Sequence, residues 1–238
     1  MHSFYVGANG EISREEAKHA CRVLRLRAGE KIEALDGKGG RFLAQIAQLN
    51  DAGGMVEILE KLPSNESRLH LTVYQGIPKA DKLELLAQKL TELGVARLVP
   101  VRMERSVVKV DAREAEKRTQ RLERIAQEAV KQCGRALPME ICNAMDFSQA
   151  LKDLQSCECA MVPWEAASGT RIRDVFAARP GALRLGIVIG PEGGISQNEM
   201  ERMQQTGALP VTLGPRILRT ETAAIAASAL CMAMWGDM

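Results

Sequence analysis

The stretch GIVIGPEGGISQNE, residues 186–199, decides how this chain folds. The apolar run Ile187–Ile189 enters a glycine turn, and Ser196 with Glu199 then has the spacing of a capping box. In that motif a serine side chain accepts from the backbone three residues on while the glutamate reaches back. An apolar run that ends in glycines and restarts as a capped helix predicts a buried strand of a parallel sheet. Ligands of such sheets bind outside the carboxyl ends of the strands, where glycines let them approach the backbone. The order G-P-E-G-G at Gly190–Gly194 is neither the dinucleotide fingerprint nor the P-loop, and Glu192 would repel a pyrophosphate. A nucleoside with a cationic centre, such as S-adenosylmethionine, suits it better. On these five residues alone, an unliganded tight turn is an equal reading.

Downstream, LGPRILRTETA (213–223) follows the next strand, LPVTLG, with its own Gly214-Pro215. Two consecutive strands that end in special loops predict facing walls of one pocket. Here Arg216, Arg219 and Glu221 interrupt a small and apolar run, just before a helix that is apolar nearly all round. Such a helix must be covered on several sides.

Upstream, strand and helix patterns alternate from Leu69. LHLTVYQGI, ARLVPVRM, CECAMVPW and LRLGIVIG read as strands. DKLELLAQKLTELG, the long DAREAEKRTQRLERIAQEAVKQCG and FSQALKDL read as helices, the first two closed by Gly94 and Gly134. This is an α/β domain over 69–238, with a mostly parallel sheet covered on both faces. Residues 1–68 read as a smaller, mostly β module. It holds one helix starting at Ser13, again in capping-box spacing with Glu16, and a hairpin turning at Asp36-Gly37 and Gly39-Gly40. PSNES, 63–67, is the expected linker.

The 238 residues carry a net charge of only +2, too little to argue for a nucleic-acid partner. Arg14–Arg41 holds eight basic against five acidic residues; on charge alone a solvated face is preferred over an RNA-facing patch. Six cysteines without CxxC spacing and three histidines imply no metal and free thiols. Cys157 and Cys159 are expected on one face of a strand. No segment reaches the length of a membrane span, and a cytoplasmic location is expected.

GPEGGISQNEM together with LGPRILRTETA resembles the RsmE-type SPOUT methyltransferases. KADKLELLAQKLTELGV, RSVVK, EAVKQCGR and the N-terminal HACRVLRLRAGE extend the resemblance over essentially the whole chain. It implies a C-terminal trefoil knot, a PUA-like β-barrel that binds RNA, and a homodimer. It also implies S-adenosyl-L-methionine as cofactor and methylation of uridine N3 in small-subunit ribosomal RNA, within the assembled subunit. Carried onto this sequence, the cofactor positions are Val162 and Pro163, then Gly190, Glu192, Gly193 and Gly194, then Leu213, Gly214, Ile217 and Leu218. Ile217 and Leu218 are expected as apolar walls for the adenine.

Uridine N3 must lose a proton before it attacks, and negative charge then spreads over N3 and its flanking carbonyls. Arginine suits that charge because it stays protonated and donates as a fork. Arg219, Arg105 and Arg135 are therefore the expected substrate-facing residues, with Glu221 orienting Arg219 or, less favoured, taking the proton. The competing readings are an Arg219–Glu221 pair, helix capping, and surface ion pairs for Arg105 and Arg135, with Glu128 one candidate partner for the latter. Arg22, Arg25 and Arg27 are the expected phosphate contacts. Phe4 and Tyr5 are better placed in the core than stacked on a base. Ribose 2′-O methylation and a non-enzymatic RNA-binding assembly factor are the rival functions.

Overall fold

Ser13 starts a helix because its side chain accepts from the Glu16 amide at 3.3 Å. The capping box is only half formed, however, since the Glu16 carboxylate is taken by Lys131 at 2.9 Å. Glu16 and Lys131 lie in the same unit of the chain. The computed structural model describes residues 1–79, 81–106 and 112–238, and these divide into two units. One is Met1–Glu66 with Val130–Pro138; the other is Ser67–Ala129 with Met139–Met238. The return of 130–138 to the first unit was not foreseen, because those residues read as the end of a helix in the second.

In the first unit the elements are β1 (Ser3–Tyr5), β2 (Glu11–Ile12), α1 (Arg14–Lys18), a π-helical turn (His19–Val23), β3 (Lys31–Leu35), β4 (Arg41–Asn50) and β5 (Gly53–Leu62). The sheet order is β1-β3-β4-β5-β2, and the Val6–Ile12 bridge joins its two ends, so the sheet closes into a small barrel. Two register shifts between β4 and β5 supply the bending that closure needs. The β3–β4 hairpin turns where expected: Asp36 Oδ1 accepts from the amides of Lys38 and Gly40 at 2.7 and 2.8 Å. Phe4 is buried in the barrel core with Ile32, Ala44 and Ile46.

The second unit contains β6 (His70–Gly76), α2 (Lys82–Glu92), β7 (Arg97–Arg102), α3 (Ala112–Cys133, whose last turn belongs to the first unit), β8 (Glu140–Ile141), β9 (Met145–Asp146), α4 (Phe147–Leu154), β10 (Cys159–Pro163), α5 (Ile172–Ala178), β11 (Arg184–Ile189), α6 (Gln197–Gln205), β12 (Leu209–Val211) and α7 (Thr220–Trp235). Its strands pair in parallel in the order β12-β10-β11-β6-β7-β8, with β9 also on β7. One face is covered by α2, α3, α5 and α7, the other by α4 and α6. The elements expected from the alternation are present; β8, β9 and α5 had not been anticipated. Asp111 and the Val107, Val108 and Lys109 of the RSVVK motif lie outside the described residues, as does Ala80.

Cys157 and Cys159 do not share a face. Cys157 precedes β10 and packs with Tyr74 on the α4/α6 side, whereas Cys159 is buried on the other. The turn over 155–158 breaks the alternation assumed for a continuous strand. All six cysteines are free, and among the described residues no helix is long and apolar enough to cross a membrane.

The Ser196 capping box at the start of α6 is complete. Ser196 Oγ accepts from the Glu199 amide at 3.3 Å, and Glu199 Oε2 accepts from the Ser196 amide at 3.1 Å. Ser196 Oγ also donates to Glu104 Oε2 at 2.7 Å. Ser196→Ala therefore removes a cap and a second, partly buried bond, with an expected loss of about 1–2 kcal/mol in denaturant unfolding.

Candidate active site

The carboxyl ends of β12, β10 and β11 lie side by side, and the loops that follow them form one cleft. Its larger part is a cavity of about 460 Å³ lined by Pro163 and Glu165 after β10, Gly190–Ile195 after β11, and Ile217–Thr220 with Ala223 at the entry to α7. Lys82 of α2 completes the wall. A smaller adjoining cavity of about 120 Å³ adds Trp164, Leu213, Gly214 and Arg216.

Gly194 is required by its backbone conformation and Gly193 by contact. At Gly194 φ is +75°, and a Cβ would stand 2.9 Å from Glu165 Oε1. At Gly193 a Cβ would stand 2.9 Å from the Arg105 Cβ. Arg105 thus packs on the turn, and its Nη1 donates to the Gly193 carbonyl at 3.0 Å. The Glu104 amide donates to Glu199 Oε1 at 2.8 Å, so the loop after β7 is tied to the glycine turn through Arg105 and to the first turn of α6 through Glu104.

Lys82 was not singled out from the sequence. Its ammonium lies 3.0 Å from Glu192 Oε1 and 3.0 Å from Glu221 Oε2, bridging the glycine turn to the first turn of α7. Its contacts with the Glu221 and Glu192 carboxylates raise its pKa. Burial pushes the Glu192 carboxyl upward, but Lys82 and the Lys79 amide outweigh that and hold it below the ordinary range. Glu221 is likewise held low: its own amide, Lys82 and the Arg219 charge outweigh its burial. A signal was available, since a lysine in the first turn of a helix opposes the macrodipole and needs a reason to be there. Gln75 and Thr220 were missed too, although Gln75 interrupts an apolar strand end.

The candidate residues are not all brought together. Arg219, Glu192, Gly190, Gly193, Gly194, Pro163, Ile217 and Leu218 line the larger cavity, with Arg105 behind the turn and Leu213 and Gly214 on the smaller one. Ile217 is 88% exposed. Val162 is fully buried in the core below the loop, so Pro163 alone of that pair lines the cavity. Arg219 forms no ion pair with Glu221, whose partner is Lys82; its guanidinium has no hydrogen-bond partner among the described residues. Arg135 belongs to the first unit, only 8% exposed, and its Nη2 donates to Glu66 Oε2 at 2.8 Å. That ion pair is the competing reading given for Arg135, with Glu66 as a partner that the sequence did not suggest. The PSNES segment that contains Glu66 reads as a linker, and the guanidinium that engages the Glu66 carboxylate is 69 residues away.

In the first unit Arg22 pairs with Asp51, which raises the arginine and lowers the acid. Arg25 and Arg27 are exposed and form no ion pair among the described residues. Arg25 has φ +56°, a left-handed conformation uncommon outside glycine.

The RNA methyltransferase domain family matches residues 65–232, and the RNA methyltransferase PUA domain family matches residues 12–53. The chain is similar to the ribosomal RNA small subunit methyltransferase E of Bacillus subtilis (strain 168), with 35% identity over 219 residues covering 89% of this chain and 85% of that one. It is also similar to the protein of the same name from Aquifex aeolicus, with 31% identity over 98% and 99% of the two chains. Among solved structures it resembles a ribosomal RNA small subunit methyltransferase E from Neisseria gonorrhoeae bound to S-adenosyl methionine. The TM-score is 0.88 at 32% identity, covering 100% of this chain and 99% of that one. Matched in both units and over nearly its whole length, the chain belongs to the ribosomal RNA small subunit methyltransferase E family.

Proposed function

We propose that the chain transfers a methyl group from S-adenosyl-L-methionine to N3 of a uridine in small-subunit ribosomal RNA. The observation that carries the reading is the three-loop cavity with Arg219 in its wall. Its volume of about 460 Å³ lies within the range of about 300–1,000 Å³ usual for cofactor sites. The donor set fits as well. Glycines leave backbone within reach, and the amides of Ile217 and Leu218 bond to no described residue. Glu165 and Glu192 suit a cationic rather than a polyphosphate ligand.

Pro163, Gly190–Gly194 and Leu213–Leu218 would hold the cofactor, which supplies an electrophilic methyl group. The chain's own residues align the uracil and stabilise its charge as the N3 proton leaves. Arg219 is assigned the developing charge on the flanking carbonyl oxygens. Arg105 holds the turn through Gly193 and adds positive potential behind it. Glu221 positions Lys82, and because its carboxyl is held below the ordinary range it is a weak proton acceptor and is not assigned proton removal. Arg135 is left out of the catalytic set. Lys82→Met removes the bridge that holds the glycine turn against the first turn of α7, and the cavity walls lose their fixed spacing. The expected result is a roughly tenfold rise in the cofactor Kd, read by calorimetry, with Lys82→Arg recovering part of it.

The first unit is assigned to RNA, with Arg25 and Arg27 as phosphate contacts and Arg22 shared with Asp51. The molecule is assigned to the cytoplasm as a homodimer acting on the assembled small subunit. The dimer reading is supported by α7, where Leu230 and Ala233 are exposed beside half-buried Ile225, Ala226 and Ala229. A threaded C-terminus is supported by the path from edge strand β12 to α7, which packs on β11, β6 and α2.

The test is methyl transfer from labelled S-adenosylmethionine to unmodified small subunits, followed by nucleoside analysis of the digested RNA. N3-methyluridine is expected. A ribose-methylated nucleoside would overturn the uridine assignment, and absence of both transfer and cofactor binding would favour an assembly factor.

A further inference from the structure

We propose that Gln75 and Thr220 form a buried latch that positions the glycine turn against the first turn of α7 for cofactor binding. This inference rests on the cofactor reading above.

Gln75 is the next-to-last residue of β6, opposite Ile189 of β11 and fully buried. Its Nε2 donates to Thr220 Oγ1 at 2.8 Å and to the Gly76 carbonyl at 2.8 Å, with a longer contact to the Gly190 carbonyl at 3.4 Å. Thr220 Oγ1 in turn donates to the Gly190 carbonyl at 2.6 Å. The polarity of this chain is fixed. The Thr220 hydroxyl spends its only proton on Gly190, so it must accept from Gln75, and the amide orientation follows. Two side chains thereby fasten together the end of β6, the first residue of the G-P-E-G-G turn and the residue that follows Arg219.

Structural economy does not explain the glutamine. Its Oε1 is buried and has no hydrogen-bond partner among the described residues. An apolar residue of similar size would avoid that unsatisfied acceptor, so what justifies the side chain is the donor it aims at Thr220 and Gly190. Thr220 is similar. As the first residue of α7 its amide needs no helical partner, and its hydroxyl points away from the helix to the turn. The latch therefore sets the spacing of two cavity walls and the backbone from which Arg219 projects. Gln75 and Thr220 are positioning residues.

Thr220→Val keeps the shape and removes the hydroxyl, whereas Thr220→Ser keeps the hydroxyl. In calorimetric titration with S-adenosylmethionine, Thr220→Val is expected to raise Kd about tenfold, with Thr220→Ser recovering most of the affinity. In the ligand-free protein, amide hydrogen exchange over 189–196 and 213–223 should quicken in the valine variant and much less in the serine variant. Should Thr220→Val fail to fold, Gln75→Met, which leaves the Thr220–Gly190 bond, should raise Kd about threefold. Valine and serine variants that exchange and bind alike would overturn the latch. Wild-type protein that does not bind S-adenosylmethionine would overturn the cofactor reading instead, and the exchange comparison would still decide on the latch.

Discussion

Replacing Arg219 with alanine is expected to lower the methyl-transfer rate about 10²–10³-fold, the usual effect of removing one donor aimed at developing negative charge. The cofactor Kd should change by less than about threefold, because the adjacent walls are backbone and apolar side chains. The local structure argues that this arginine is not there for folding. It occupies the N-cap of α7 with extended φ and ψ of −64° and 153°, and makes no side-chain capping bond. An N-cap favours a short side chain with an acceptor oxygen, and the helix macrodipole disfavours a cation there. The nearby Glu221 is attracted by the Arg219 charge but does not pair with it, since Lys82 occupies that carboxylate. Arg219→Asn is therefore the sharper variant. It should stabilise the protein by up to about 1 kcal/mol in denaturant unfolding while losing as much activity as the alanine. If Arg219→Asn keeps full turnover, the arginine has no part in the reaction.

The same contrast between local rule and actual residue explains what was legible in the sequence. The Ser196–Glu199 box, the Asp36 hairpin and the glycines ending α2 and α3 are set by neighbours within four residues, and periodicity with turn chemistry is enough to read them. The position of the cleft follows from two glycine turns after successive strands, because parallel sheets place those turns at one edge. What was not legible depends on partners far away in the chain. Lys82 lies more than one hundred residues from both of its carboxylates, and Thr220 lies 145 residues from Gln75. Glu16 could not be seen to desert its capping box, since its partner Lys131 is 115 residues on. The cysteines misled for a local reason: a turn stands where alternation had been assumed.

Arg135 is the case with the largest consequence. The Glu66 carboxylate takes its guanidinium at 2.8 Å, and Glu66 Oε1 also accepts from the amides of Ala136 and Leu137 at 2.8 and 3.0 Å. The two side chains are 9% and 16% exposed, so neither is rescued by water if the other goes. Burial alone would raise the Glu66 carboxyl, but Arg135 and the two amides outweigh it and hold it below the ordinary range. Glu66→Ala takes the carboxylate away from a buried arginine and from two amides, and about 3–5 kcal/mol of stability is expected to be lost in denaturant unfolding. The dependence on pH has a definite sign. A carboxyl depressed in the folded state contributes stability above its unfolded pKa of about 4.3, and the contribution is lost as pH falls through the lower folded value. Wild-type protein should therefore weaken in acid over that window, whereas Glu66→Ala should lack that component. Arg135→Met provides the decisive contrast with Arg219→Asn. It strands the carboxylate and should cost stability, yet turnover per folded molecule should stay within about twofold of wild type, because the guanidinium is committed to the fold. A rate that collapses while the unfolding midpoint holds would return Arg135 to the substrate.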